Sequence, residues 1–395
     1  MGAHSLSPTC RCLLHPVRPT LVPMVTRLFL LALLSVVLAC ERPTRGLPVH
    51  ADGRLVLVDR IGTEDGPGML DGRVLSIVRV GAGDHLVVSG MPGTVRRFVD
   101  GVGRVEYGRA GRGPGELLAP RKVSLSPEGE VWILDDAQRR AAVYTLDGTP
   151  LRDIGIGTLG ATWDLLFLPD GSTFVNAPGG TTRNMGFLGH RLRSGAVDWD
   201  PYLPLLTDSA FTIYEPVWQR EMALDAEGRV VVVEPETNAV SIWDPDADFT
   251  RVHDLPKYRP TAWPAESNAS RRTRDPAAPP AGVQDVVTDG CGHLWVLSLV
   301  PDAEWQGAIT RGASVGSDGE SGLGMTDQDE WRDSLVEVLE LSSGEIISSF
   351  RFDRVFFWWV GPGMLAHYGG DLPFPSVNIF SIRQEEEICD GKHGR

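Results

Sequence analysis

The feature that most constrains this chain is a strand-and-turn unit that recurs along it. One copy runs VSLSPEGEVWILDDAQRRAAVYTLDGTPLRDIG, from Val123 to Gly155. Val123 and Leu125 alternate with polar neighbours, Glu128-Gly129 is a turn, and Val131–Leu134 is a mostly apolar run. A polar loop over Asp135–Arg140 follows, then a strand over Ala142–Leu146, a turn at Asp147-Gly148, and a strand over Leu151–Ile154. Short strands joined by such turns predict antiparallel hairpins. The first-turn glycines of successive units are Gly83, Gly129, Gly171, Gly228, Gly292 and Gly363. The early spacings match the ~40–50 residues of a propeller blade, and the later ones leave room for loop insertions.

Six units of four strands predict an all-β fold, a six-bladed β-propeller. The last unit shows three strands. A lone strand, GRLVLVDRI at Gly53–Ile61, precedes the first. Set beside the last unit, it closes the ring and removes two sheet edges. The expected boundaries are a leader and signal peptide over 1–39, a lipidated N-terminus and linker over 40–52, the propeller over 53–384 and a tail over 385–395.

The N-terminus gives an address. MVTRLFLLALLSVVLAC, Met24–Cys40, carries Arg27 ahead of a short apolar run ending at Ala39. That run is shorter than a membrane-spanning helix needs and has the layout of a secretion signal. Val37-Leu38-Ala39-Cys40 resembles a bacterial lipobox, which implies lipid on Cys40 and a place in the cell envelope, facing the periplasm or the cell surface. Residues 1–23 fit no signal logic, so Met24 reads as the true start. Of the five cysteines, Cys10 and Cys12 fall in the leader and Cys40 takes lipid. Cys291 and Cys389 remain as an even pair in an oxidising compartment, where a disulfide is expected.

GRAGRGPGELLAP, ahead of VSLSPEGEVWILDDAQRRAAVYTLDG, resembles the repeat of NHL- or TolB-like propellers. The likeness is strongest to six-bladed propeller lipoproteins of environmental bacteria. The detailed match covers Gly108–Gly148, and Gln138-Arg139 stands where the repeat often has Asn-Arg. No single activity is implied by the resemblance. A phosphate loop would open a helix and end in lysine and a hydroxyl residue. Here Pro120 and a strand follow, so GRAGRGPGE reads as an inter-blade loop.

Formal charge is −15, and residues 1–39 hold three arginines and no acid, so the rest is more acidic still. Such a surface repels nucleic acid and offers no basic footprint. The expected partners are a protein, a peptide or a glycan, with the membrane reached through the lipid. No cofactor and no metal ligand set is discernible. GASVG, Gly312–Gly316, lacks the strand and helix that a nucleophile elbow needs. DPDADF, Asp244–Phe249, lacks the glycine and glutamate of a calcium loop and reads as a turn. VFFWWV, Val355–Val360, reads as packing between blades. Inner-strand carboxylates converging on the central channel, which a metal-dependent lactonase or lyase would need, are not evident. The expected function is therefore a binding scaffold acting through its top face, with that enzyme class as the alternative. Candidate ligand-binding residues, placed on top loops, are Arg109, Arg112, Asp135, Arg139, Arg183, Glu234 and His367. The insertion between Val300 and Asp333, with Trp305 and Trp331, falls on the same face.

Overall fold

A strand covered on both faces is mostly apolar, and the second strands of the units follow that pattern. Val131–Asp135, Val230–Val233 and His293–Pro301 are buried along their whole length. The outer strands Pro150–Gly155 and Thr250–Asp254 are almost wholly exposed. A computed structural model of the chain describes residues 49–50, 54–62, 66–90, 93–156, 164–176, 189–193, 200–201, 221–233, 239–247, 250–255, 281–304, 332–369 and 375–383.

These residues form six antiparallel sheets, the blades of a β-propeller. Blade 1 comprises Val74–Gly81, Asp84–Ser89, Thr94–Val99 and Val102–Tyr107. Blade 2 comprises Pro120–Leu125, Val131–Asp135, Arg140–Tyr144 and Pro150–Gly155. Blade 3 has Asp164–Phe167, Thr173–Asn176, Gly189–Leu192 and Asp200–Pro201; blade 4 has Glu221–Leu224, Val230–Val233, Val240–Asp244 and Thr250–Asp254. Blade 5 is built from Gly282–Thr288, His293–Pro301, Arg332–Glu340 and Ile346–Phe352.

Blade 6 has three strands of its own, Trp358–Gly361, Met364–Gly369 and Ser376–Ile382. Its fourth is Leu55–Ile61, antiparallel to the last, with Leu55 opposite Ile382 and Ile61 opposite Val377. The ring thus closes as the strand count predicts. Two residues in the stretch read as linker also pair: Val49 and His50 lie parallel to Phe350 and Arg351 on the outer edge of blade 5.

The core is divided among the blade interfaces. Alternation along a strand sends successive side chains to opposite faces. Val131 and Ile133 therefore pack with Leu86, Val88 and Tyr107 of blade 1. Trp132 and Leu134 pack with Leu165 and Val175 of blade 3. The same division recurs between blades 3 and 4, 4 and 5, 5 and 6, and 6 and 1. VFFWWV serves two of these interfaces: Phe356 and Trp359 face blade 5, while Trp358 and Val360 face blade 1.

All six first-turn glycines have positive φ, from 64° at Gly363 to 84° at Gly292. A side chain is disfavoured there, which is why the turn is written in glycine in every unit. Pro245–Ala247 of DPDADF form a turn as expected, with Asp244 Oδ1 accepting the N–H groups of Asp246 and Ala247.

Candidate functional site

The first strand of each blade faces the axis. In five blades the residue seven places before the turn glycine is polar or charged: Ser76, Lys122, Asp164, Glu221 and Asp285. They sit at one level, opposite Val88, Leu134, Asn176, Val233 and Leu297 on the second strands. Blade 6 has Phe356 at that offset, buried. Repetition of one unit around a ring therefore brings together residues from separate parts of the chain.

Lys122 is the cation of this group. Its Nζ lies 3.2 Å from Asp164 Oδ1, and Asp285 and Glu221 add to the field that holds it charged. Burial alone would depress the ammonium, but the three carboxylates outweigh it and raise its pKa above the ordinary lysine value. Asp285 accepts N–H groups from Val286 (2.9 Å) and, across the blade interface, from Trp359 (2.7 Å). Its pKa is raised, chiefly by burial, with Asp164 adding to the rise and Lys122 opposing it. Ser76 Oγ accepts the Val123 N–H of the next blade at 3.3 Å. The Thr288 hydroxyl donates to the Leu224 carbonyl between blades 5 and 4.

This polar belt ties blade 1 to 2, 2 to 3, 4 to 5 and 5 to 6. A lysine held charged is neither a nucleophile nor a base at neutral pH. Among the described residues the belt brings Lys122 together with Asp164, Glu221 and Asp285. Inner-strand carboxylates do converge on the axis, contrary to the expectation from sequence, but they converge on an ammonium. An ammonium among them repels a divalent cation and lowers their value as metal ligands.

The candidate residues named from the sequence are dispersed. Arg109 is 84% exposed at its side chain and pairs with Glu116. Arg112 is exposed in the same loop. That loop is an inter-blade connection, as expected, built inward around Glu116. The Gly113 N–H and Arg109 hold the Glu116 carboxyl below its ordinary range. A Cβ on Gly111 would come within 2.1 Å of Glu116 Oε2, so a larger residue there would push that carboxylate from its place. Arg140, passed over in the sequence, donates to the carbonyls of Gly113 and Glu116 and seals the loop onto blade 2.

Asp135 is fully buried at the end of a strand rather than in a loop. It accepts the N–H groups of Leu118 (2.7 Å), Ala119 (3.1 Å) and Gln138 (3.2 Å), and the Gln138 side-chain amide (2.7 Å). Its acceptor capacity is thus used to fasten the same loop. We expect Asp135→Ala to cost about 3 kcal/mol or more in urea unfolding, since buried donors lose their partner. Asp135→Asn is expected to cost nearly as much, because an amide turns N–H toward N–H. A loss below about 1 kcal/mol in both would mean that water replaces the carboxylate.

Arg139 is exposed with φ of 51° at the corner between strands. His367 is buried, with Nδ1 2.8 Å from the Val355 carbonyl and its ring edge-on to Phe356. It belongs to the packing of blade 6. Arg183, Glu234, Cys40 and Cys389 lie outside the described residues. Cys291 is disulfide-bonded.

No protein-family model matches the chain, and no curated protein matches it. Solved structures do. A protein of Bacteroides fragilis assigned as exported superposes with a TM-score of 0.52 at 12% identity, over 85% of this chain and 97% of its own. A member of the DUF4221 family from Bacteroides vulgatus gives 0.54 at 11% identity, over 83% and 97%. At these identities the likeness is one of fold.

Proposed function

We propose that the chain is a lipid-anchored extracytoplasmic binding protein. Lipid on Cys40 holds it at the membrane, and the top face of the propeller engages a protein, peptide or glycan partner. The observation that carries this reading is the distribution of connections. At the bottom of the blades strands are joined by short hairpins, such as 82–83, 126–130 and 289–292, the longest being 193–199. The long connections, 202–220, 255–281 and 302–331, all leave from and return to strand ends on the opposite face. Variable loops set on one side of a rigid frame are the usual way a scaffold carries recognition. The description of the Bacteroides fragilis neighbour as exported agrees with the lipobox. The alternative, a metal-dependent lactonase or lyase, is disfavoured by Lys122 standing among the carboxylates that would have to hold the metal. A disulfide from Cys291 to Cys389 would tie the acidic tail to blade 5.

The test is cross-linking in the bacterial envelope, followed by purification. The full chain should recover a defined partner. Variants with 305–331 or 256–280 replaced by a short Gly-Ser link should lose it while melting at the same temperature. Equal recovery by every variant would rule out the top face. Cys40→Ala should move the protein from the membrane to the soluble fraction.

A further inference from the structure

The second strand of blade 5 ends at Pro301, the third begins at Arg332, and the fourth ends at Phe352. Antiparallel register brings these three ends together: Pro301 lies opposite Arg332, and Ser334 opposite Phe352. The residues at the junction are Asp302, Asp333 and Asp353. One carboxylate oxygen from each lies within 4.8 Å of the others. From this geometry we propose that Asp302, Asp333 and Asp353 form a divalent-cation site, suited to Ca²⁺, at the top of blade 5 where the long insertion leaves and rejoins the sheet.

Three observations support it. Asp333 is buried, and its Oδ1 has no hydrogen-bond partner among the described residues. Its Oδ2 accepts from Arg351 Nε at 2.5 Å, while Arg351 Nη2 is spent on the Pro301 carbonyl at 2.9 Å. A buried carboxylate oxygen without a donor carries an uncompensated desolvation cost that a cation removes. Second, among the described residues one guanidinium, Arg351, pairs with this set of three carboxylates, and a divalent ion adds positive charge where they meet. Third, the donors suit the ion. Hard oxygens within this separation can all reach a Ca²⁺ at about 2.3–2.6 Å. Asp302 is half-buried and Asp353 exposed, so water can complete the shell. Asp302 Oδ1 is also used by the Glu304 N–H at 2.5 Å, which orients the side chain at the mouth of the insertion.

The consequence is local. The ion would clamp both roots of the 302–331 connection to one another, leaving the channel belt untouched. This does not depend on what the top face binds.

The experiment is calorimetric titration of the chelator-treated full chain with CaCl₂ up to about 10 mM, which spans the range of extracellular sites. It is paired with thermal melts. The expected result is one Ca²⁺ per chain and a melting temperature raised by about 4 °C at a hundredfold excess over Kd. Asp353→Asn should weaken Ca²⁺ binding at least about tenfold. Without metal, it should melt at or above the unsubstituted chain, because it removes like-charge repulsion and leaves the Arg351–Asp333 pair intact. Asp302→Asn is the second variant, expected to weaken binding similarly. No heat and no stabilisation up to the highest concentration would overturn the proposal, as would unchanged affinity in both variants.

Discussion

A chain that begins after Gly62 is expected to lose cooperative folding and to aggregate. Leu55–Ile61 is the outer strand of blade 6, and its partner Ser376–Ile382 would become an open edge without it. The flanking contact between the Arg383 N–H and the Arg54 carbonyl, at 3.0 Å, would go too. Ile61 is fully buried and packs with Leu70, Val74, Ile77, Val377 and Ile379 where blade 6 meets blade 1. That interface is the seam between the end and the beginning of the repeat, and the chain passes from Leu55–Ile61 into Val74–Gly81, so the deletion removes both the closing strand and the covalent link from blade 6 to blade 1. Removing the Ile61 side chain alone, as Ile61→Ala, should cost about 2–5 kcal/mol while leaving a folded ring. The truncation should be far worse. Size-exclusion chromatography with urea unfolding separates the two, and a truncated chain that stays monomeric with an unchanged midpoint would show that the seam contributes little.

The architecture was legible because propeller physics writes itself into each repeat. Second strands sandwiched between blades are mostly apolar, hence VWIL at Val131–Leu134 and VVVV at Val230–Val233. Each first hairpin needs a left-handed residue, hence the six glycines. A last unit one strand short and a spare strand at the front forced the closure. The polar belt was not legible, though its signal was present. Asp164, Glu221 and Asp285 each look like a charge ahead of an apolar pair, and Lys122 like the second of two basic residues. Only superposing the repeats on their turn glycines shows that all four stand at the same offset. Asp135 misled for a related reason. A charged residue beside a polar loop resembles a ligand-binding group, whereas the inter-blade loop over Leu118–Ala119 turns its donors inward and uses the carboxylate up. The acidic triad on blade 5 stayed hidden because its members are separated by the long insertion and by a whole hairpin, and only strand register unites them.

The belt itself can be tested through its lysine. Lys122→Met keeps the stem and deletes the charge. At pH 8 the variant is expected to be about 3 kcal/mol less stable than the unsubstituted chain, at the low end of what breaking a buried ion pair costs. The low end applies because 31% of the Lys122 side chain remains accessible and water screens part of the loss. The dependence on pH distinguishes charge from packing. In the unsubstituted chain the Lys122 pKa is raised above its ordinary value, so its contribution is fully present throughout the acidic and neutral range and fades only at strongly alkaline pH. In the variant, Asp164 and Asp285 lose the ammonium that lies between them. Asp285 already has a raised pKa with Lys122 opposing the rise, and removing that opposition lifts it further. The folded variant then binds more protons than its unfolded chain over a window that opens at the ordinary carboxylate pKa and extends upward. Across that window its stability falls as pH rises. The deficit against the unsubstituted chain should therefore be small at pH 5 and large at pH 8. Urea unfolding at the two pH values measures it directly. Deficits of equal size would mean that Lys122 supports the ring through its aliphatic stem and that the carboxylates around the axis are compensated by solvent. A deficit that closes on acidification would establish the ammonium as the counter-charge that lets three acidic side chains share the centre of the propeller.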